Sequence, residues 1–582
     1  MGSLRLSAEH IVLLAALGLT VLAFVQLDAP FSQWRWSDSF PPHFTTVDPL
    51  VYTWHARQIW QTGDLFTYTD STRGLPRIIP AYPPLQGLLT ASIGQLATVN
   101  VHHLEWIMVV IETLFVPVGM FLMVRRLFSS KAALLTLAFG LFAPPMWFFK
   151  SYIGHWGDVL SFFFVPAILI LTILSLRTRT VLAPWLMGVL LAAMLYAHAF
   201  EVVFVSLFVA GGMMLHGLLT RHLRKSIIQV TIVSVTAILL VAHFFPVVLN
   251  IASSVRTTGD GKVLLLPGAG QLPSYYPRIS FAWPVILLTA IGMLVVTRIG
   301  LKKLTTERIV LFAFIIFLAA VSATHFIGAG YRLYREFYSL YFFAAVLPAL
   351  GAYALAAPLL SRVGSERKAA LLLVALVVAV SLFFYGRNLA HFRSIAAVPL
   401  ADREQWEGVV WISQNTPPGA LVYIPNEFIH GFPIYFTNRN TIDSELNKDS
   451  HVFNLISLCN GTYPERWAVR CNGGWSAPPL NREGQPVYIV NRTGWRSFDS
   501  EEGPICNGYP PTTEPGFKSE ASYLPMEYFD YVLLQYRGTG RWLGQNYDGC
   551  MAFFLNESIA RGHQVVWNND QMAVLKVNKS AA

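Results

Sequence analysis

Charge is what this 582-residue chain has least of. Asp, Glu, Lys and Arg together make 13% of it, against 54% hydrophobic residues. A water-soluble fold of that composition could not cover its surface with polar groups, so the chain reads as a polytopic membrane protein. Cysteine is scarce as well. None of the four precedes Cys459 and none forms a Cys-x-x-Cys pair, which argues against a zinc site. No internal repeat is visible, and no pair of Gly/Pro-broken helices recurs in two halves as in a repeat-built transporter. The net charge of +9 comes without any basic stretch interleaved with aromatics, so nucleic acid is not an expected partner.

What the chain does have is apolar runs of bilayer length, at roughly 11–28, 105–124, 132–149, 159–176, 181–198, 200–219, 227–250, 281–298, 309–324, 337–358 and 369–386. The expected fold is therefore a polytopic α-helical membrane protein of about eleven spans. The first run lacks small residues at its end, where Gln26, Leu27 and Asp28 stand, so it is kept as a helix rather than a cleaved signal. Basic residues gather in every second linker: Arg125, Arg126 and Lys131; Arg177 and Arg179; Arg221, Arg224 and Lys225; Arg298, Lys302 and Lys303; Arg362, Arg367 and Lys368. Assigning those linkers to the cytoplasm places the N-terminus inside and the tail outside.

All four cysteines, Cys459, Cys471, Cys506 and Cys550, lie in that tail, and so do four Asn-x-Ser/Thr triplets beginning at Asn460, Asn491, Asn556 and Asn578. Both features fit an oxidising, extracytoplasmic side, with the cysteines as disulfide candidates in any of three pairings. Two domains follow: a transmembrane domain over 1–387, with a first outer loop at 29–104, and an extracytoplasmic α/β domain over 388–582. In the second, a helix near Asp402–Gln414 precedes strands at Ala420–Ile424, Tyr531–Leu534, Val565–Trp567 and Met572–Val577. A strand-poor, cysteine-bearing insertion is expected between about 444 and 520.

Ionisable residues beside a membrane face are costly unless solvated or paired, so those on the outer side are site candidates. Asp48 opens an aromatic-rich outer segment that contains Arg57 and ends at Pro80–Pro84. Asp158 closes SYIGHWGD at the lip of the fourth span, beside His155 and Trp156. Gly154 and Gly157 there permit close approach of a ligand to the backbone. For Asp158 the structural alternative is a helix N-cap. Arg332 and Arg335 lie within one turn at the outer end of the tenth span, with Tyr331, Tyr334 and Tyr338 around them. Two guanidinium groups offer fixed multiple donors suited to a phosphate; the alternative is interfacial snorkelling. Arg256, Asp260 and Lys262 in the loop 251–280 are weaker candidates. Within the spans, Glu112, His198, Glu201 and His243 are the ionisable exceptions. Separated carboxylates, an arginine pair and an apolar-aromatic loop on one face suit group transfer from a lipid phosphate. A carboxylate would deprotonate the acceptor and the arginines would stabilise the departing phosphate.

Three stretches carry a family resemblance: VDPLVYTWHARQI at Val47–Ile59, SYIGHWGD at Ser151–Asp158, and YRLYREFYSLYFFAAVLPAL at Tyr331–Leu350. Together they resemble the C-type (GT-C) superfamily of polyprenyl-phosphate-sugar-dependent membrane glycosyltransferases, distantly its oligosaccharyltransferase catalytic subunit. The outer segment VVWISQNTPPGALVYIPNE is similar to the outer domain ending many members. The resemblance implies an inverting transferase with a lipid-linked sugar donor and a glycan, protein or lipid acceptor. Asp48 and Asp158 would be catalytic, with Arg57, His155, Trp156, Tyr331, Arg332 and Arg335 binding substrate. The chain departs from the oligosaccharyltransferase branch in lacking its Trp-Trp-Asp-Tyr-Gly motif and in having a single acid in the second loop motif. Transfer of a single sugar is therefore favoured over transfer of an oligosaccharide to asparagine. A divalent metal, Mg or Mn, is left open as cofactor. The competing reading is a non-enzymatic transporter or assembly scaffold with a disulfide-bonded ectodomain.

Overall fold

The computed structural model describes residues 47–63, 67–70, 77–80, 84–99, 101–142, 156–178, 180–244, 283–302, 333–363, 365–395, 403–424, 439–443, 461–464, 466–470, 521–535 and 547–580, with a few isolated positions besides. It divides into two compact units, one formed by residues 1–32, 83–248 and 255–398, the other by 33–82, 249–254 and 399–582. The expected spans at 11–28 and 309–324 lie outside the described residues, as do Arg256, Asp260 and Lys262.

The second unit begins with α1 (Val47–Thr62) and an antiparallel hairpin of β1 (Thr67–Asp70) and β2 (Arg77–Pro80). The first unit is helical throughout its described part: α2 (Leu85–Ala97), α3 (Val101–Leu127), α4 (Ser130–Phe142), α5 (Trp156–Arg177), α6 (Leu182–Ala197), α7 (Ala199–Leu219), α8 (Leu223–Val241), α9 (Trp283–Lys302), α10 (Leu333–Arg362) and α11 (Glu366–Ile395). These helices coincide with the expected spans from 105–124 to 281–298, and with 337–358 and 369–386. Three described stretches are long and apolar enough to cross a bilayer, Val159–Arg177, Leu223–Phe244 and Ala345–Arg362; shorter apolar stretches run through α4, α6, α7, α9 and α11.

The core of this unit is a continuous apolar cluster in which Phe121, Leu135, Phe139, Ile168, Phe208 and Val346 are fully enclosed. Its outside is apolar too. Leu239 on α8 is 70% exposed and Leu294 on α9 is 69% exposed. In water such a surface would drive aggregation, whereas in lipid it costs nothing. Two or four residues join α3 to α4 and α5 to α6, and three join α7 to α8. Arg125, Arg126, Arg177, Arg221 and Arg224 all sit at these connections. Each basic residue in a last turn also faces the negative end of its own helix dipole. Lys225 extends this by donating from Nζ to the carbonyl of Leu176, 2.8 Å away, at the end of α5.

Helix contacts within lipid depend on close backbone approach rather than on hydrophobic driving force, so small residues belong at the crossings. Helices α9 and α10 meet at two glycines. A Cβ on Gly292 would overlap the carbonyl oxygen of Leu347, and one on Gly351 would overlap that of Leu288. Prolines 117, 166, 348 and 358 lie inside α3, α5 and α10. Membrane helices tolerate them because neighbouring groups satisfy the freed carbonyls.

The remainder of the second unit is a three-layer α/β arrangement. Its sheet has the order β4 (Asn440–Asp443), β3 (Leu421–Ile424), β7 (Tyr531–Gln535), β9 (Met572–Lys576), β8 (Gln564–Asn568). The β4–β3–β7 pairs are parallel, and β7–β9 and β9–β8 antiparallel. Alternation assigns the faces. Leu421, Tyr423, Val532, Leu534 and Leu575 meet Cys550, Met551 and Phe554 of α13 (Tyr547–Ala560). On the other side, Gly408 of α12 (Arg403–Asn415) lies against Trp567, Met572 and Leu533, and Trp411 stacks on Trp567 at 6.4 Å. Asp530 locks the junction: Oδ2 accepts from the Leu421 amide at 2.8 Å, and Oδ1 pairs with Lys579 Nζ at 2.5 Å.

A separate antiparallel pair, β5 (Arg466–Arg470) with β6 (Ala521–Pro525), enters the stretch expected to be strand-poor. Arg-Trp-Ala-Val-Arg is a short alternating strand, easily overlooked between polar loops. Cys459, Cys471 and Cys506 lie outside the described residues; Cys550 is buried on α13.

His563 carries a pH response. Its Nδ1 accepts the amide of Asn578 at 3.1 Å, and burial, with Arg561 nearby against an opposing Glu527, pulls its pKa below the usual value near 6.5. The folded state therefore binds a proton less readily than the unfolded state. Stability from this group is full above pH 6.5 and is lost as pH falls through the depressed value. The unfolding midpoint of the second unit is expected to drop between pH 7.5 and 5, and His563→Gln to flatten that slope. An unchanged slope would assign the acid response to other groups.

Candidate functional site

Asp48 is the second residue of α1, Asp158 the third of α5 and Arg335 the third of α10. Each stands near the start of the described part of its helix. The side chains of Asp48, Trp156, Asp158 and Arg335 are outside the described set, as are residues His155, Tyr331 and Arg332 altogether, so no contact among them is assigned.

Arg57 is described. It lies two turns and a half along α1 from Asp48, beside the buried Tyr52, Thr53, Trp54, His55, Ala56 and Ile59. Burial depresses the guanidinium pKa, the cost of holding a cation away from water.

In the membrane unit, α2 contacts α3, α5 and α6. By the alternation of the hairpins these contacts fall at the ends opposite to the arginine-bearing turns. Glu105 in the second turn of α3 is fully buried there, and Gln86 Nε2 donates to its Oε2 at 3.0 Å. At the end of α6, Tyr196 donates from its hydroxyl to the Leu240 carbonyl at 3.0 Å. His243 Nε2 lies 3.0 Å from the same hydroxyl, which leaves that oxygen to accept from the Nε2–H tautomer. His198, the single extended residue between α6 and α7, breaks the helix at this same end.

No protein family matches the sequence, and no curated protein matches it. Solved structures do match. The Archaeoglobus fulgidus oligosaccharyltransferase, in a form tethered to an acceptor peptide containing the NVT sequon, superposes with a TM-score of 0.52 at 12% identity, covering 74% of this chain and 63% of that one. The chain shares the fold of that protein. The same enzyme, AglB, in complex with an inhibitory peptide and a dolichol-phosphate, matches with a TM-score of 0.50 and the same identity, covering 74% of this chain. This chain thus spans under two thirds, 64%, of the length of that C-type protein. ArnT from Cupriavidus metallidurans in the apo state aligns over 99% of both chains at 14% identity, with a TM-score of 0.49.

Sequence reasoning singled out Glu112 and His243 only as isolated exceptions within apolar spans, and it missed Glu105, Gln86 and Thr90. The available signal was spacing. Glu105 and Glu112 are seven residues apart, two helical turns, and so share one face of α3.

Proposed function

We propose that the chain is a membrane glycosyltransferase that moves a single sugar, with inversion, from a polyprenyl-phosphate donor to a glycan, protein or lipid acceptor on the extracytoplasmic side. The observation that supports this reading is the fold shared with a solved oligosaccharyltransferase, in a chain where Asp48, Asp158 and Arg335 stand near the starts of the described parts of three helices. A guanidinium pair at Arg332 and Arg335 suits a lipid phosphate. In this reading the bundle over 1–387 is catalytic and the unit over 388–582 is its outer domain. Asp48 accepts the proton of the acceptor hydroxyl as its oxygen attacks the anomeric carbon. The bond from that carbon to the phosphate breaks, and Arg335 and Arg332 stabilise the charge left on the departing phosphate. Asp158 orients the acceptor or donor, Arg57 and Tyr331 contact substrate, and His155 and Trp156 line the sugar site.

The test is turnover. Purified protein in detergent is given a panel of polyprenyl-phosphate sugars with acceptor extract, with and without Mg2+ or Mn2+, and released lipid phosphate is followed. Consumption of one donor supports the reading; a protein that neither binds nor consumes any of them is a transporter or scaffold. The outer cysteines are read as disulfides closing the insertion, consistent with the absence of a free thiol among the described residues. Peptide mapping without reduction is expected to recover Cys550 cross-linked to another of the four, and a free Cys550 would remove the bond.

A further inference from the structure

Two glutamates on α3 are buried where a transferase reading has no use for them. Glu105 is 0% exposed and Glu112 is 4% exposed. Both are close enough to repel one another, and Gln86 and Thr90, on α2 and both fully buried, lie against them. Five oxygen atoms of these side chains lack a well-formed hydrogen bond, Glu105 Oε1, Glu112 Oε1 and Oε2, Gln86 Oε1 and Thr90 Oγ1, although the Thr90 hydroxyl approaches Glu105 and the Gln86 amide approaches Glu112. Buried polar atoms are ordinarily satisfied, so five at one place call for a ligand.

We propose that Glu105, Glu112, Gln86 and Thr90 form a binding site for one hard divalent cation inside the helical bundle. The donor set is all oxygen, two carboxylates with an amide carbonyl and a hydroxyl, which suits Ca2+, Mg2+ or Mn2+ and offers no nitrogen or sulfur to a softer metal. Charge gives the valence. Helix α2 carries no ionisable residue, and α6 none but Tyr196. On α3 itself Arg125 and Arg126 are at the far end, as are Lys131 on α4 and Arg177 on α5. His102 and His103 precede Glu105 on the same helix, and among the described residues no arginine or lysine acts on either glutamate. Two carboxylates in so poorly solvated a place need two positive charges, and one divalent ion supplies them.

Two protons would also neutralise the pair, and the infrared measurement below distinguishes them from an ion. The two carboxylates are about 10 Å apart along the helix at their backbones. Both side chains lean toward the N-terminus of α3, the end at which Gln86 of α2 meets Glu105. This site is distinct from Asp48 and Asp158 and does not depend on the transferase reading.

The test uses the whole purified protein after chelation, titrated with Mn2+ and followed by electron paramagnetic resonance, with the thermal midpoint as second readout. Wild type is expected to bind one Mn2+ per chain saturably and to melt higher with it. Glu112→Gln and Glu105→Gln/Glu112→Gln keep the shape and remove the charge. They should lose at least about tenfold in affinity, the scale of removing even an outer partner of a metal, and the double variant should melt independently of the ion. An ion that persists in the double variant but disappears in Asp48→Asn/Asp158→Asn overturns the proposal, as does wild type that binds no ion. In the latter case an infrared carboxylic-acid band lost in the double variant would give the pair to protons.

Discussion

Asp48→Asn is expected to lower sugar transfer by about 10²- to 10⁴-fold, the contribution usual for a positioned general base, while leaving donor binding and folding near wild type. Asparagine has the same shape as aspartate, so α1 (Val47–Thr62) is kept. What is lost is the proton acceptor and one negative charge near the start of that helix, worth about 0.3–1 kcal/mol to it. A turnover defect of several orders of magnitude against a stability change that small separates catalysis from folding. The measurement is single-turnover release of lipid phosphate from the accepted donor, with the thermal midpoint taken on the same sample. Loss below about tenfold would move the base to another carboxylate, with Asp158 next, and the reciprocal Asp158→Asn variant would then carry the large defect.

Gly351→Val should leave little folded protein. At this crossing the obstruction is the Leu288 carbonyl of α9 rather than a flexible side chain, so no rotamer change makes room. Helix α9 must move off α10, and the reciprocal contact of Gly292 with Leu347 opens with it. Overpacked cores lose about 1–3 kcal/mol when neighbours can adjust; a rigid backbone obstacle belongs at or above the upper end. The readout is the fraction extracted in mild detergent as a single sharp peak on size exclusion. Gly211→Ala is the control. An added Cβ there meets nothing within 4 Å, and alanine favours the helix by about 1 kcal/mol. Equal yields for both variants would show that the crossing is looser than the glycines indicate.

The helices were legible because their signals are local. An apolar run of bilayer length ended by arginine needs no knowledge of its neighbours, and α5, α8 and α10 follow from it. The strands β3 and β9 were legible for the same reason, being short apolar runs next to turn residues. What escaped is carried by contacts distant in sequence. Arg439 is one case. Its guanidinium donates to the Thr416 hydroxyl at 2.8 Å and to the carbonyls of Ser413 and Thr416 at 2.6 Å, capping the end of α12 from 23 residues beyond. Nothing in the neighbourhood of Arg439 announces that partner. Gln86 and Glu105 are another, 19 residues apart on two helices. Their significance lies in burial, which no window of sequence reports. For the candidate site, residue types and membrane side suggested Asp48, Asp158 and Arg335. Glu112 looked like an isolated oddity until α2 was set against it.

Strand β9 has a consequence for how the second unit comes into being. It lies between β7 and β8, inside the sheet, yet it is the last of the described strands to be made. Strand β3 in turn pairs with β7 across more than a hundred residues, Val422 with Tyr531. Until β9 arrives, β7 lacks its antiparallel neighbour and has an edge open to any neighbouring chain. Sheet closure is thus a late event in the synthesis of this unit.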